Sequence, residues 1–337
     1  MSDNSQIEWT DATWSPVTGC TKVSEGCRNC WAARLAAGRL KHNPRYRGLA
    51  HQCGSASHSH APGAQADWTG EVRLHLDLLN RPLHWRKPRK IFVVPHGDLF
   101  HPAVPDDFID RVFATMALAS QHTYQTLTKR PERILAYLSR ERRPWPVCLT
   151  QAWVWPLPHV WPGFSAETRE MFDERWERVR PLAEAGWTTW ASLEPLLGPI
   201  ILPDDFLRLA KWVVAGGESG PHARPAHPDW FRSMHYQCQA AGVPFFFKQW
   251  GEWAPKAAFS SFKEWDRAPK HALVLFSREF SIVNGRDVPD EEFGLTCADL
   301  DGNDGAAAMG WMGKKRAACL LDGREWKKFP RQTTSDK

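Results

Sequence analysis

The chain has 337 residues, a 42% hydrophobic fraction and a net charge of +5, enough to bury a large core as one big domain or two. The mildly basic balance tolerates a polyanionic partner without demanding one. Five of the eight cysteines are scattered, which excludes a disulfide framework, and no apolar run approaches the ~20 residues of a membrane span, so a reducing cytoplasm is expected.

The alternating run Ile7 to Trp14 predicts a first strand. A loop follows with Cys20, Cys27 and Cys30 spaced C-x6-C-x2-C, and then the helix-like run Trp31-Ala32-Ala33-Arg34-Leu35-Ala36-Ala37. Three close thiols suit a soft metal centre. Gly19 and Gly26 allow the turns that bring the first cysteine to the Cys-x-x-Cys pair. Iron–sulfur clusters usually take four cysteines, so three would leave one iron open. A structural zinc needs a closed shell of four, which His51, Cys53, His58 or His60 would complete. A redox pair, or cysteines that merely pack, is the plainer alternative. Next come Arg39, Lys41, His42, Arg45, Tyr46 and Arg47, which read either as a phosphate grip with an aromatic or as a solvated helix end. Residues 54–70 read as an irregular insertion or flexible loop.

A strand–helix rhythm begins at residues 71–75, a predicted strand. A short helix is expected up to Trp85, with Pro82 in its first turn. Further strands are predicted at Ile91-Phe92-Val93-Val94, 122–127, 159–165 (despite Pro162), 188–193, 212–215 and 243–247. Between them, Asp106, Pro131, Glu167, Asp204 and Pro228 mark helix starts. The Pro/Trp/Arg-rich residues 140–158 break the pattern. Eight strands, mostly followed by helices, predict an α/β chain with a (β/α)8 barrel over residues 1–253. An open doubly wound sheet is the alternative. Residues 254–337 lack the rhythm and are expected to form an extension, as a lid or a basic arm.

In such barrels the active site lies at the C-terminal strand ends. Those ends carry the three cysteines, Asp98, Lys129, Arg130, Ser165, Glu167, Glu194, Gly216, Gly217, Glu218, Ser219, Lys248 and Gln249. For any one of them the plain reading is a helix cap or a surface charge; the repetition argues for an enzyme. The Gly-Gly-Glu-Ser-Gly run lacks dinucleotide or P-loop spacing. Its glycines would let a ligand approach the backbone. Glu218 would accept a bond from an ammonium or a ribose hydroxyl. A tight turn with a helix cap is the alternative. Nineteen tryptophans are more than a core of this size needs by any single argument, and some are candidates for stacking on a base or cofactor ring.

Several segments resemble a phage- and prophage-associated bacterial family of uncharacterised three-cysteine-motif proteins. They are Ile7-Glu8-Trp9-Thr10-Asp11 with Trp14, the cysteine loop, Asp98-Leu99-Phe100, Leu127-Thr128-Lys129-Arg130-Pro131, Ser192-Leu193-Glu194-Pro195-Leu196-Leu197-Gly198-Pro199, Gly216-Gly217-Glu218-Ser219-Gly220, Phe246-Phe247-Lys248-Gln249-Trp250-Gly251 and Leu320-Leu321-Asp322-Gly323. The layout also resembles the radical S-adenosylmethionine (SAM) superfamily, with its cysteine loop after the first barrel strand. The usual spacing there is C-x3-C-x2-C, so the longer first gap is a departure. So is Asn29, which stands where that superfamily often has an aromatic. The resemblance implies a [4Fe–4S] cluster on Cys20, Cys27 and Cys30, with SAM on the open iron and a 5′-deoxyadenosyl radical as the product of its cleavage. It implies an electron donor such as flavodoxin or ferredoxin. Lys129 or Arg130 would pair with the SAM carboxylate, and Asp98, Glu194 or Glu218 with its ammonium or ribose. A nucleic acid (DNA) or nucleotide is the expected substrate, for modification or photoproduct repair, with a peptide or small molecule as the alternative. The rivals are a zinc- or cluster-stabilised nucleic-acid-binding protein without activity, and a barrel hydrolase that uses the Asp/Glu set around structural cysteines.

Overall fold

The structure is a computed structural model that describes residues 3–53, 65–140, 155–275, 280–284, 305–317 and 319–330. His58, His60, Cys148, Cys297 and most of the Pro/Trp/Arg-rich segment lie outside the described residues. In chain order the elements are β1 (Ala12–Trp14), β2 (Val17–Thr18), α1 (Trp31–Ala37), β3 (Ala50–Cys53), β4 (Gln65–Trp68), β5 (Arg73–Leu74), β6 (Lys90–Val93), α2 (Asp106–Leu118), β7 (Thr123–Thr128), α3 (Pro131–Leu138), β8 (Val160–Ser165), α4 (Arg169–Glu184) and β9 (Trp190–Leu193). Then follow α5 (Asp204–Leu209), β10 (Trp212–Gly216), α6 (Pro228–Ala240), β11 (Phe245–Gln249), β12 (Trp253–Pro255), α7 (Phe262–Asp266), β13 (Lys270–Leu275), β14 (Phe280–Asn284), β15 (Ala306–Trp311), α8 (Lys314–Ala317), β16 (Leu320–Leu321) and β17 (Arg324–Glu325).

Seven strands form one parallel sheet in the order β1-β6-β7-β8-β9-β10-β11. The expected eighth strand, at residues 71–75, does not join it. There β5 pairs antiparallel with β2, and the His75 N–H donates to the Pro16 carbonyl at 2.8 Å, so this segment ties down the chain just past β1. Pro162 is tolerated inside β8 because the ladder to β9 starts one residue later, at Gly163. The flanks of the expected insertion are ordered too: β3 and β4 form an antiparallel hairpin beside α1.

The sheet curls into a half-barrel. In a flat sheet β1 and β10 would lie about 24 Å apart, at roughly 4.8 Å per strand. Yet Trp9, just before β1, has its ring centre 5.4 Å from Trp190 of β9 and 6.0 Å from Trp212 of β10. The closing element is the tail rather than an eighth barrel strand. Lys327 bridges antiparallel to Phe246 on the β11 edge, and its ammonium reaches Glu8 beside β1 at 3.1 Å. Phe329 then packs under the sheet against Trp212 and Phe246, with the Lys90 ammonium 4.2 Å from its ring centre.

Alternation along the strands sorts the interior into levels. Phe92, Trp161, Trp190, Trp212 and Phe246 fill the N-terminal end with Trp9. One or two inward positions further on, β8 to β11 and their following turns present Ser165, Glu194, Gly216 and Lys248, and the turn after β7 adds Lys129. On the convex face the helices bury two clusters, one under α2 and α3 and the other under α4, α5 and α6. The second continues into the four-stranded antiparallel sheet β12-β15-β13-β14 through Trp253, Ala272, Val274 and Met309. No helix among the described residues is long and apolar enough to cross a membrane.

Candidate functional site

The loop from β2 to α1 crosses the C-terminal mouth of the half-barrel and is held past β6, β7, β8 and β10. At its start Gly19 bridges Gly97, just past β6. A side chain at Gly19 would meet the Glu71 carbonyl at 2.1 Å, at a backbone φ of +95°. Past β7, the Arg130 guanidinium donates to Asp98 at 2.8 Å, to the Cys20 sulfur at 3.7 Å, and to the Thr21 carbonyl and hydroxyl at 3.0 and 2.7 Å. Asp98 also accepts from the Phe100 N–H and the Thr128 hydroxyl, both at 2.9 Å. Past β8, Glu167 accepts from the Gly26 N–H at 3.1 Å and from Arg175 at 3.0 Å, fully buried. Past β10, Glu218 accepts from the Asn29 amide at 3.0 Å and from the Arg224 guanidinium at 2.9 and 2.7 Å. Arg224 reaches on to Glu25 at 2.6 Å.

These contacts assign roles to the predicted residues. Arg130 and Glu218 bond to the cysteine loop, and Asp98 holds the Arg130 guanidinium that does so. The glycines serve the chain itself. A side chain on Gly217 would meet the Trp250 carbonyl at 1.9 Å, and one on Gly216 the Glu194 carboxylate at 2.6 Å. On the Cβ side of both glycines the space is filled by protein. Ser219 accepts from the Gln249 amide at 2.8 Å. Facing the mouth are Lys129, which donates to Ser165 at 2.8 Å, and Glu194, paired with Lys248 at 2.9 Å. Arg175 and Arg224 are the residues that sequence reasoning missed. Each is one arginine among many, and nothing local marks its carboxylate partner.

The three thiols lie close enough to act on each other electrostatically, Cys20 with Cys30 and Cys30 with Cys27. Burial and the Asp98 charge push the Cys20 thiol up to about 12, against the pull of Arg130. Burial also pushes Cys30 up, opposed by the Ala33 and Ala32 amides at the start of α1. At Cys27 burial again acts upward, but Lys129 and the Val23 and Ser24 backbone outweigh it and the thiol lies below its ordinary value. Three soft donors, each partly buried and together flanked by Lys129 and Arg130, fit a thiolate-bound cluster. The cations offset the negative charge that three partly buried thiolates bring together. Among the described residues no three His, Cys, Asp or Glu side chains converge on one point as a single ion requires. In a cubane each thiolate holds a different iron, so nearness suffices. Cys53 and His51 stand on the β3–β4 hairpin.

His96 lies beside this loop, and burial together with the Arg39 charge lowers its pKa to about 4. His75, His101, His122 and His159 are lowered in the same direction by burial. An unfolded histidine takes its proton near pH 6.5. The stability carried by neutral His96 is therefore complete above about pH 6.5 and is lost as pH falls toward 4. The urea midpoint is expected to drop steadily between those values. His96→Gln should flatten that slope by at most about 3 kcal/mol across the window; an unchanged slope would show that His96 is not held neutral.

A family model described as "Protein of unknown function (DUF5131)" matches residues 4–330. No curated protein matches the chain. Two similar solved structures are of spore photoproduct lyase. One is a cysteine-to-serine mutant, at 10% identity and a TM-score of 0.37, covering 71% of this chain and 64% of that one. The other is complexed with dinucleoside spore photoproduct, at 10% identity and a TM-score of 0.35, covering 70% and 63%. The chain thus spans under two thirds of the length of these neighbours.

Proposed function

This chain belongs to that family of unknown function over nearly its whole length, and for it we propose a radical SAM-type iron–sulfur enzyme that acts on nucleic acid. The observation that carries the reading is the gathering of Cys20, Cys27 and Cys30 over the C-terminal mouth of a parallel half-barrel, with Lys129 and Arg130 beside them. Cys20, Cys27 and Cys30 would hold a [4Fe–4S] cluster and would leave one iron free to bind SAM. When bound, the pair supplies one-electron cleavage of SAM to methionine and a 5′-deoxyadenosyl radical, with the electron drawn from a flavodoxin or ferredoxin.

The chain's own residues orient and exclude. Arg130 fixes the Cys20–Thr21 backbone from below, and Asp98 keeps that guanidinium in place. Glu167 holds the Gly26 turn, and Glu218 with Arg224 holds Glu25 and Asn29, so all three thiols are fixed before any ligand arrives. Lys129 is the cation left for a ligand carboxylate, and Glu194 with Lys248 can meet an ammonium or hydroxyl. The aromatic layer below closes the barrel to water from the other end. Asp98, Glu167, Glu194 and Glu218 are each paired with an Arg or Lys, which favours this reading over a hydrolase that would need one of them as a free base.

The test is anaerobic reconstitution with iron and sulfide, followed by SAM and dithionite. About four irons per chain, a broad visible absorption and released 5′-deoxyadenosine are expected. Cys30→Ala should drop the deoxyadenosine to background while the thermal melt stays cooperative. Stoichiometric zinc with no SAM cleavage would replace this reading by the zinc-stabilised binding protein, and Cys30→Ala would then unfold the chain.

A further inference from the structure

We propose that the surface around Trp31 binds a single strand of nucleic acid, with the indole as the platform for one base and Arg39, Lys41 and Arg47 as phosphate contacts. The inference rests on the nucleic-acid half of the function above and not on its radical chemistry.

The tryptophan excess narrows to one candidate in the structure. Of the described tryptophans Trp31 alone is exposed, at 42%, while Tyr46, the aromatic inside the basic segment, is 5% exposed and unavailable for stacking. Trp31 is also held in place. Its ring meets His96 edge-on at 5.3 Å between centres, and His96 is fixed in turn by the Tyr46 hydroxyl at 2.8 Å. A propped ring with an open face costs little to order when a base stacks on it.

The charge that follows it along the chain is one-sided. No Asp or Glu occurs between Glu25 and Asp67, a stretch of 41 residues that at the chain's average would hold about four or five, while six Lys or Arg do. Two cations at the margin of the patch are neutralised, Lys22 by Asp67 and Arg45 by Asp77. Arg39, Lys41 and Arg47 are exposed, and none of them makes an ion pair with a described residue. An exposed aromatic among unpaired cations matches a polyanion that carries flat rings. Bases in a duplex are already stacked on one another, so the ring selects an unpaired strand. Trp31 directly follows Cys30, which puts a base stacked there next to the thiols.

The experiment is fluorescence anisotropy of the chain with a labelled single-stranded DNA of about twelve nucleotides, without iron or SAM, across a salt series. Trp31→Ala is expected to weaken binding about tenfold with the salt slope unchanged, and Trp31→Phe to restore most of it. The triple change Arg39→Gln, Lys41→Gln and Arg47→Gln should cut the slope of log affinity on log salt by about two units. Trp31→Ala binding like the native chain, or polyglutamate competing as well as DNA, would overturn the proposal. The second result would make the patch a site for acidic proteins. A chain that shows the Trp31 effect but fails to cleave SAM keeps this surface and loses the radical reading. A chain that cleaves SAM with no Trp31 effect loses only the surface.

Discussion

Arg130→Met is expected to lower the unfolding free energy by about 3–5 kcal/mol and to free the start of the cysteine loop. The side chains of Arg130 and Asp98 are 6% and 5% exposed, so the substitution leaves a buried carboxylate without its counter-charge. The Thr128 hydroxyl and the Phe100 N–H still bond to Asp98, but neither neutralises it. The same guanidinium also carries the bonds to the Thr21 carbonyl and hydroxyl and to the Cys20 sulfur, so the loss is structural and local at once. Urea unfolding measures the first effect. The second should show as faster alkylation of Cys20 in the folded, iron-free chain. The double variant Asp98→Asn with Arg130→Met should recover part of the stability, since no charge is then stranded, but should not slow the alkylation. A loss under about 1 kcal/mol would mean that the pair is reached by water and that the loop is held elsewhere.

Much of this architecture is legible in the sequence, for a physical reason. A strand buried on both faces reads as a short apolar run, and Ile91 to Val94, Trp212 to Ala215 and Phe245 to Phe247 do so unambiguously. Helix starts were legible at Asp106, Pro131 and Pro228, where first-turn prolines and acids mark the chain. Residues 71–75 misled because alternation over so short a run fits a two-residue tie to β2 as well as a barrel strand. Without that strand the sheet stays open, and nothing in the tail's composition marks Trp326 to Phe329 as its closure. The site divides in the same way. Positions at strand ends follow from the rhythm, and Asp98, Lys129, Arg130, Glu194 and Glu218 do follow β6, β7, β9 and β10. Partners do not, because Asn29 meets Glu218 across 189 residues and Arg130 meets Thr21 across 109. The choice between facing a ligand and bracing a loop is made by such long-range contacts, and no local pattern encodes them.

Lys129→Met is expected to cost at least tenfold in iron retention with little change in fold. Among the cations at the mouth, Lys129 acts on two of the three thiols, Cys27 and Cys30, and on Glu167 as well. Without it, burial is the largest remaining influence on Cys27 and the thiol should rise toward the range of its two neighbours. Three thiols that resist ionisation make a poor soft-metal site at neutral pH, because each must release its proton to bind. The measurable result is iron per chain after reconstitution and gel filtration. It should fall in Lys129→Met, recover in part as the reconstitution pH is raised, and stay near the native value in Lys129→Arg. The fold has little reason to suffer, since Lys129 is only half-buried and its hydrogen bond to Ser165 leaves that hydroxyl beside the Glu194 carbonyl at 3.4 Å. Native iron content in Lys129→Met at neutral pH would assign the charge balance to Arg130 alone and leave Lys129 as a contact for a bound ligand only. A thermal melt shifted by many degrees would instead make it a structural residue. The pH recovery separates the electrostatic role from both, because neither a lost ligand contact nor a weakened fold is repaired by taking protons off thiols.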